Sequence, residues 1–316
     1  MEKGKIIRDI STDTKLTYRD IVLTIGNFDG VHRGHLSLFK KVIERAKNIK
    51  GISAVMTFDP HPLKILGDGV NLSLLTDTDE KMALIAEAGI ELIFCLPFTK
   101  EFSSIRARDF VEDILVGKMG VKELVVGYDY NFGYKREGDI RLLKELGKEQ
   151  GLKVHVVEPV KIDGVTVSST LIRRCIKDGN VGAARKLLGR NYAIKGTIVK
   201  GRGRGKEVLN FPTANLLPKT ELLPRQGVYA VEVMIGGKRR AGVTNIGTNP
   251  TFDDTSLSVE THILGFSKNI LGEEMKIAFI ERIRDEVKFT TPSELAYQIS
   301  LDIDMAEEIF KKFNKD

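Results

Sequence analysis

The chain is poor in cysteine, in long apolar runs and in net charge of either sign. Its 316 residues hold two cysteines, Cys95 and Cys175, too few for a disulfide framework, so a reducing compartment is expected. Cys95 stands inside an apolar run and is expected to pack as a small hydrophobe. No apolar span reaches the ~18 residues that suggest a membrane helix, and Met1 to Asp20 is charged, without the apolar core of a signal peptide. A cytoplasmic protein with no membrane partner is the expectation. Internal repeats and low-complexity tracts are missing as well. The net charge of +6 is small for this length; it suits anionic ligands and is weak support for nucleic acid. Two basic clusters, Gly201–Lys206 and Lys238–Arg240, lack interleaved aromatic residues, so no nucleic-acid partner is expected.

What is present suffices for packed cores: 42% of the residues are hydrophobic, and the length suggests about two domains. Up to about Tyr192, short apolar runs (Ile21–Ile25, Ser53–Phe58, Leu92–Leu96, Glu123–Val126, Lys153–Val157) alternate with helical patterns. That alternation predicts a parallel α/β sheet of Rossmann-like type. Two short helices, Leu171–Lys177 and Val181–Leu188, follow. From Ala193 the pattern changes to short strands separated by glycine, proline and asparagine, which predicts an antiparallel β-barrel or sandwich. Thr291-Pro292-Ser293-Glu294 reads as a capping box opening a terminal helix, with an apolar stripe at Leu295, Ile299, Ile303, Ala306, Phe310 and Phe313. The expected domains are 1–187 and 188–316.

The richest stretch is Gly26-Asn27-Phe28-Asp29-Gly30-Val31-His32-Arg33-Gly34-His35, between the strand Ile21–Ile25 and a helix. A helix start offers unpaired N–H groups and partial positive charge, which suit phosphate. Glycine lets the backbone approach a ligand. His32 and His35, three apart, would share a face of the first turn and donate hydrogen bonds to phosphoryl oxygens. The spacing is neither that of the dinucleotide fingerprint nor that of a P-loop.

Further along, Asp59-Pro60-His61-Pro62 ends a strand, where a parallel sheet presents residues to its ligand crevice. The strand Glu123–Val126 runs into Gly127-Tyr128-Asp129-Tyr130-Asn131-Phe132-Gly133, whose rings either meet a flat ligand or plug the core. Ser168, Ser169 and Thr170 precede a helix and can cap it or bind phosphate, with Arg173 on its first turn. In the second half, Lys200-Gly201-Arg202-Gly203-Arg204-Gly205-Lys206 is a basic glycine loop ahead of Asn210-Phe211-Pro212-Thr213-Ala214-Asn215. Asn245-Ile246-Gly247 and Val259-Glu260-Thr261-His262 follow, with Glu260 and His262 on one strand face.

These strings occur in an order that resembles the prokaryotic bifunctional riboflavin kinase/FAD synthetase family. Gly-x-Phe-Asp-Gly-Val-His-x-Gly-His carries the His-x-Gly-His signature of nucleotidylyltransferases. Phe-Pro-Thr-Ala-Asn is similar to the riboflavin kinase signature, though Asn210 replaces its usual Gly and Glu207 a usual Arg or Lys. Tyr130 likewise stands for a usual Phe. The resemblance implies an N-terminal nucleotidylyltransferase domain and a C-terminal kinase barrel with riboflavin, FMN and ATP as substrates and Mg2+ as cofactor. It implies that His32 and His35 act in catalysis and that Gly26, Phe28, Asp29, Gly30 and Gly34 bind ATP. Ser168, Ser169, Thr170 and Arg173 would clamp its triphosphate. Asp59, His61, Asp129, Asn131 and Phe132 would bind flavin. In the kinase it implies nucleotide contacts from Gly201, Gly205, Lys206, Pro212, Thr213 and Asn215, metal binding by Thr213 and Asn215, and Glu260 as general base.

Overall fold

The structure is a computed structural model, and the residues described in it are 4–10, 18, 20–67, 72–200, 212–248 and 257–313. Residue contacts divide the chain into two compact units, Met1–Ser168 and Ser169–Asp316. The division precedes the change of sequence pattern, because the helices that follow Ser168 group with the second unit.

The first unit is a six-stranded parallel sheet in the order β1-β4-β3-β2-β5-β6. Its strands are β1 (Lys5–Ile7), β2 (Ile21–Ile25), β3 (Ile52–Phe58), β4 (Leu92–Leu96), β5 (Val121–Gly127) and β6 (Lys153–Val157). The helices between them are α1 (Arg33–Ile49), α2 (Pro62–Leu66), α3 (Thr78–Glu87), α4 (Lys100–Ser103), α5 (Ala107–Asp109) and α6 (Ile140–Gln150). After α5 the helix continues over Phe110–Lys118 in the wider π form.

A parallel sheet covered on both faces needs continuous apolar strands, which is what β2, β3 and β4 are. Alternate residues feed opposite cores. Ile21, Leu23 and Ile25 join Met56, Phe94 and Leu124 on one side. Val22, Val55, Ile93 and Cys95 join Phe39, Val42 and Ala46 of α1 on the other. Cys95 is thus a packed core thiol, as its apolar surroundings predict. The short edge strand β1 comes from a segment whose charge hides it in the sequence; its pairing with β4 is what reveals it. A two-stranded hairpin, β7 (Lys161–Ile162) with β8 (Val165–Thr166), ends the unit.

The second unit opens with α7 (Ser169–Lys177) and α8 (Val181–Leu188). A closed antiparallel barrel follows, in the order β10-β13-β12-β11-β14-β9. Its strands are β9 (Ala193–Val199), β10 (Ala214–Pro218), β11 (Gly227–Ile235), β12 (Lys238–Thr248), β13 (Leu257–Ile263) and β14 (Glu274–Arg284). Closure leaves no free sheet edge. In β13, Val259, Thr261 and Ile263 point into the barrel, while Ser258, Glu260 and His262 face outward and are half-buried. Inside, Thr244 and Thr261 satisfy one another's hydroxyls at 2.9 Å.

The terminal helix, α9 (Pro292–Phe313), lies on the barrel's outer face, where Ile303, Ala306 and Phe310 pack on Val228, Ala230 and Val243. Its start is half the expected box: Thr291 Oγ1 accepts from Glu294 N, but the Glu294 carboxylate accepts from Thr290 instead of Thr291. Asp302, buried on α9, takes a two-pronged hydrogen bond from Arg284 of β14 at 2.8 and 2.7 Å.

Candidate active sites

The first site grows out of the turn between β2 and α1. His32 is the N-cap of α1 and His35 its third residue, and they cap each other. Nδ1 of His32 accepts from His35 N at 3.3 Å, and Nδ1 of His35 accepts from His32 N at 3.4 Å. The rings stack with centroids 3.5 Å apart. Because both Nδ1 atoms accept backbone N–H groups, the neutral rings carry their protons on Nε2, as donors. The first turn of α1 has no acidic residue, so the helix start keeps its attraction for an anion.

The loop ahead of these histidines is strained. Phe28 and Val31 hold φ at 50° and 36°, values that cost a side-chain-bearing residue energy, and Gly30 lies at 81°. Two buried side chains stabilise that shape. Phe28 wedges edge-on between His35 and Phe39, with centroid distances of 5.1 and 5.0 Å. The Asp29 carboxylate accepts from Leu75 N at 2.9 Å and Thr76 N at 3.2 Å. Thr76 Oγ1 in turn accepts from Gly30 N at 3.1 Å. Phe28 and Asp29, expected at the nucleotide, are therefore turned into the protein, and the brace at Leu75–Thr76 had no signal in the sequence.

The other expected residues lie on separate segments of the chain. Val167 O passes 3.8 Å from the position a Cβ would take at Gly34, which brings Ser168 to the start of α1. Ser169, Thr170 and Arg173 continue from it along α7, in the second unit. The Asp59–Pro60 bond is cis. Asp59 is exposed, while His61 is buried as the N-cap of α2, its Nδ1 accepting from Leu63 N at 3.2 Å. Lys81 of α3, missed in the sequence, is 6% exposed and donates to Phe58 O at 3.0 Å, just before Asp59. Burial lowers its pKa, against the opposing fields of neighbouring acidic groups that include Asp59 and Asp29.

In the loop after β5, Asp129 and Asn131 are exposed, with Asn131 Nδ2 donating to Asp129 O at 2.8 Å. The Phe132 ring is a core ring, 7% exposed, with Tyr130 stacked on it at 5.7 Å. Burial raises the Tyr130 hydroxyl pKa. The outward aromatics of this loop are instead Tyr128 and Tyr134.

The second site is a row across three barrel strands. Asn215 of β10 and Asn245 of β12 pair in register with Glu260 of β13, one on either side. Directly opposed residues sit about 4.5–5.5 Å apart, so three oxygen-bearing side chains line one outer face. Pro212 O and His262 Nδ1 lie 2.9 Å apart, fixing the approach of the exposed Thr213 to the same face. Gly201, Gly205 and Lys206, together with Glu207, Asn210 and Asn249–Phe252, lie outside the described residues.

A carboxylate flanked by neutral amide oxygens suits proton abstraction from a hydroxyl. Stacked imidazoles at a helix start suit charge developing on phosphoryl oxygens.

Comparison with known proteins matches two family profiles in succession along the chain. Residues 14–171 match the family profile described as FAD synthetase, and residues 188–310 that of riboflavin kinase. A relative from Escherichia coli (strain K12), called bifunctional riboflavin kinase/FMN adenylyltransferase, is 38% identical across 97% of this chain and 98% of its own. A protein of the same name from Listeria monocytogenes serovar 1/2a is 37% identical, covering 92% of this chain and 93% of its own. A solved structure from Streptococcus pneumoniae, described as a macrolide-efflux protein, is 31% identical with a TM-score of 0.89, covering 96% of this chain and 98% of that one. That description belongs to that protein; among the described residues here, no helix is long and apolar enough to cross a membrane.

Proposed function

The chain belongs to the bifunctional riboflavin kinase/FMN adenylyltransferase family, and from that premise we propose which residues carry its two reactions. It phosphorylates riboflavin with ATP to FMN, then transfers AMP from a second ATP to FMN, giving FAD and pyrophosphate. By chemistry we divide the chain into residues 1–187 for adenylyl transfer and 188–316 for the kinase. The two free cysteines suit a reducing cytoplasm, and the partners are small molecules.

In the kinase, Glu260 accepts the proton of the ribityl 5′-hydroxyl. The oxygen then forms its bond to the γ-phosphorus of ATP as the bond to the β-phosphate oxygen breaks and ADP leaves. The register of Asn215 and Asn245 on either side of Glu260 is the observation that carries this reading. Thr213 and Asn215 fit Mg2+, because neutral oxygen donors suit a cation that also takes phosphate oxygens. Bound there, the ion would offset negative charge on the transferring phosphoryl group.

In adenylyl transfer, an FMN phosphate oxygen attacks the α-phosphorus of ATP and pyrophosphate departs. No protein nucleophile is required. The Nε2–H groups of His32 and His35 and the first N–H groups of α1 meet the growing oxyanion charge. Ser168, Ser169, Thr170 and Arg173 hold the triphosphate, and the exposed Asp59, Asp129 and Asn131 meet the flavin side. Phe28 and Asp29 act by holding the loop.

The test is to incubate the protein with riboflavin, ATP and Mg2+ and to separate the flavins over time. FMN accumulating first and FAD following is expected. Riboflavin left unchanged, with no FAD from supplied FMN, would overturn the reading.

A further inference from the structure

The ladder between β2 and β3 runs out one carbonyl too early. Gly26 N donates to Met56 O at 3.1 Å, just beyond the paired residues Ile25 and Met56. Carbonyls two apart on a strand point the same way, so Phe58 O also faces the β2 side. Asp59 N, next in the chain, turns to β4 and donates to Leu96 O at 3.0 Å. By then the chain after Gly26 has left the sheet for the loop that holds Phe28 at φ 50°. A buried carbonyl without a donor is costly. The donor here is the ammonium of Lys81, 3.0 Å from Phe58 O.

Lys81 reaches this point from α3, and α3 is tied to the nucleotide loop. Leu75 N and Thr76 N donate to Asp29 at 2.9 and 3.2 Å. Asp77 then caps α3 by accepting from Glu80 N at 2.7 Å, and Lys81 N donates to Asp77 O at 3.0 Å. Residues 75–81 thus run from the brace of the Gly26–His35 loop to the peptide that launches Asp59 and His61. Lys81 is 6% exposed, and that burial lowers its pKa. An apolar side chain would fill the space without desolvating a charge. What the ammonium adds is a charge-assisted hydrogen bond on the carbonyl at the head of the Asp59 turn.

We infer that Lys81 is a positioning residue for the flavin substrate: its hydrogen bond to Phe58 O fixes the Phe58–Asp59 peptide and holds Asp59 toward FMN, in register with the loop that meets ATP. Buried as it is, Lys81 acts through that turn and not on the substrate itself. The inference rests on Asp59 meeting the flavin, as proposed above.

The test measures FAD formation from FMN and ATP for wild type, Lys81→Met and Lys81→Arg. Loss of a hydrogen bond from a charged donor predicts a KM for FMN raised about tenfold or more in Lys81→Met, with KM for ATP within about twofold and kcat changed less than KM for FMN. Lys81→Arg keeps a charged donor and falls between. Partial unfolding lowers the apparent kcat and leaves both KM values in place, so the split separates positioning from a loss of stability. A KM for FMN within twofold of wild type, or an equal rise for FMN and ATP, overturns the inference. Asp59→Ala, run in parallel, separates the two levels. If it keeps the wild-type KM for FMN, the flavin reading of this turn fails and the inference with it. If it raises that KM while Lys81→Met does not, Lys81 alone is misassigned.

Discussion

Asp29 is the sharpest place to perturb the adenylyl site, because its carboxylate is buried and braces the loop ahead of His32. Its partners are the N–H groups of Leu75 and Thr76, at 2.9 and 3.2 Å. A hydrogen bond to a charged group contributes about 1.5–3 kcal/mol. Both N–H groups reach Oδ1, and Leu75 N also reaches Oδ2 at 3.2 Å; Asp29→Asn keeps one acceptor oxygen but removes the charge and sets an amide N–H₂ against Leu75 N, so a loss of about 2 kcal/mol is expected. Asp29→Ala strands both donors and should cost about 4 kcal/mol. The same brace offsets the strain at Phe28 and Val31, about 1–3 kcal/mol at each. With it weakened, the loop relaxes toward ordinary φ values and carries His32 with it. A shift near 1 Å in a catalytic group costs roughly a hundredfold in rate. The assay is FAD formation from supplied FMN and ATP, with FMN formation from riboflavin as an internal control on the same chain. Asp29→Asn should lose about two orders of magnitude in the first and less than twofold in the second. Its first unit should melt about 4–8 °C lower. An adenylyl rate within twofold of wild type, or an equal fall in both activities, would refute the bracing role.

Two further predictions concern stability. The Glu123 carboxylate takes hydrogen bonds from Arg45 at 2.7 and 2.8 Å and lies 2.8 Å from His155 Nε2; Arg45, then His155, holds its pKa down from 4.5 to about 2. A depressed carboxylate pKa contributes stability that is complete above pH 4.5 and is lost as pH falls through about 2. Glu123→Gln should therefore cost about 2 kcal/mol at pH 7 by denaturant unfolding, with the gap to wild type closing in acid; a gap independent of pH contradicts the pairing. Asp302→Ala leaves Arg284 without its carboxylate and should destabilise α9 by about 3 kcal/mol, read as faster hydrogen exchange across Pro292–Phe313. Unchanged protection there would mean that the apolar contacts alone hold the helix.

β2 to β6, the change to a strand-rich pattern after Ala193 and the stretch from Gly26 to His35 were legible because their signals are local: apolar runs, glycine spacing and histidines three apart. What stayed hidden depends on distant parts of the chain. The Leu75–Thr76 brace is 46 residues from Asp29, and Lys81 meets the chain at Phe58. β1 is a strand only because β4 pairs with it. The alignment of Asn215 and Asn245 with Glu260 required the barrel's register, since strand order cannot be read from composition. Phe132 shows the reverse: its motif suggested a ligand ring, and its burial made it a core ring. The grouping of Ser169–Lys177 with the barrel unit was likewise invisible, because its helical pattern is the same whichever neighbour it packs on.

The central claim is that two separate sets of residues perform two successive reactions, and one paired time course tests it most directly. Glu260→Gln and His35→Ala are each supplied with riboflavin, ATP and Mg2+, and then with FMN, ATP and Mg2+, and the flavins are separated. The account predicts that Glu260→Gln leaves riboflavin unphosphorylated yet still turns FMN into FAD, and that His35→Ala makes FMN and stops there. Either variant losing both reactions, or Glu260→Gln retaining wild-type FMN formation, would contradict it.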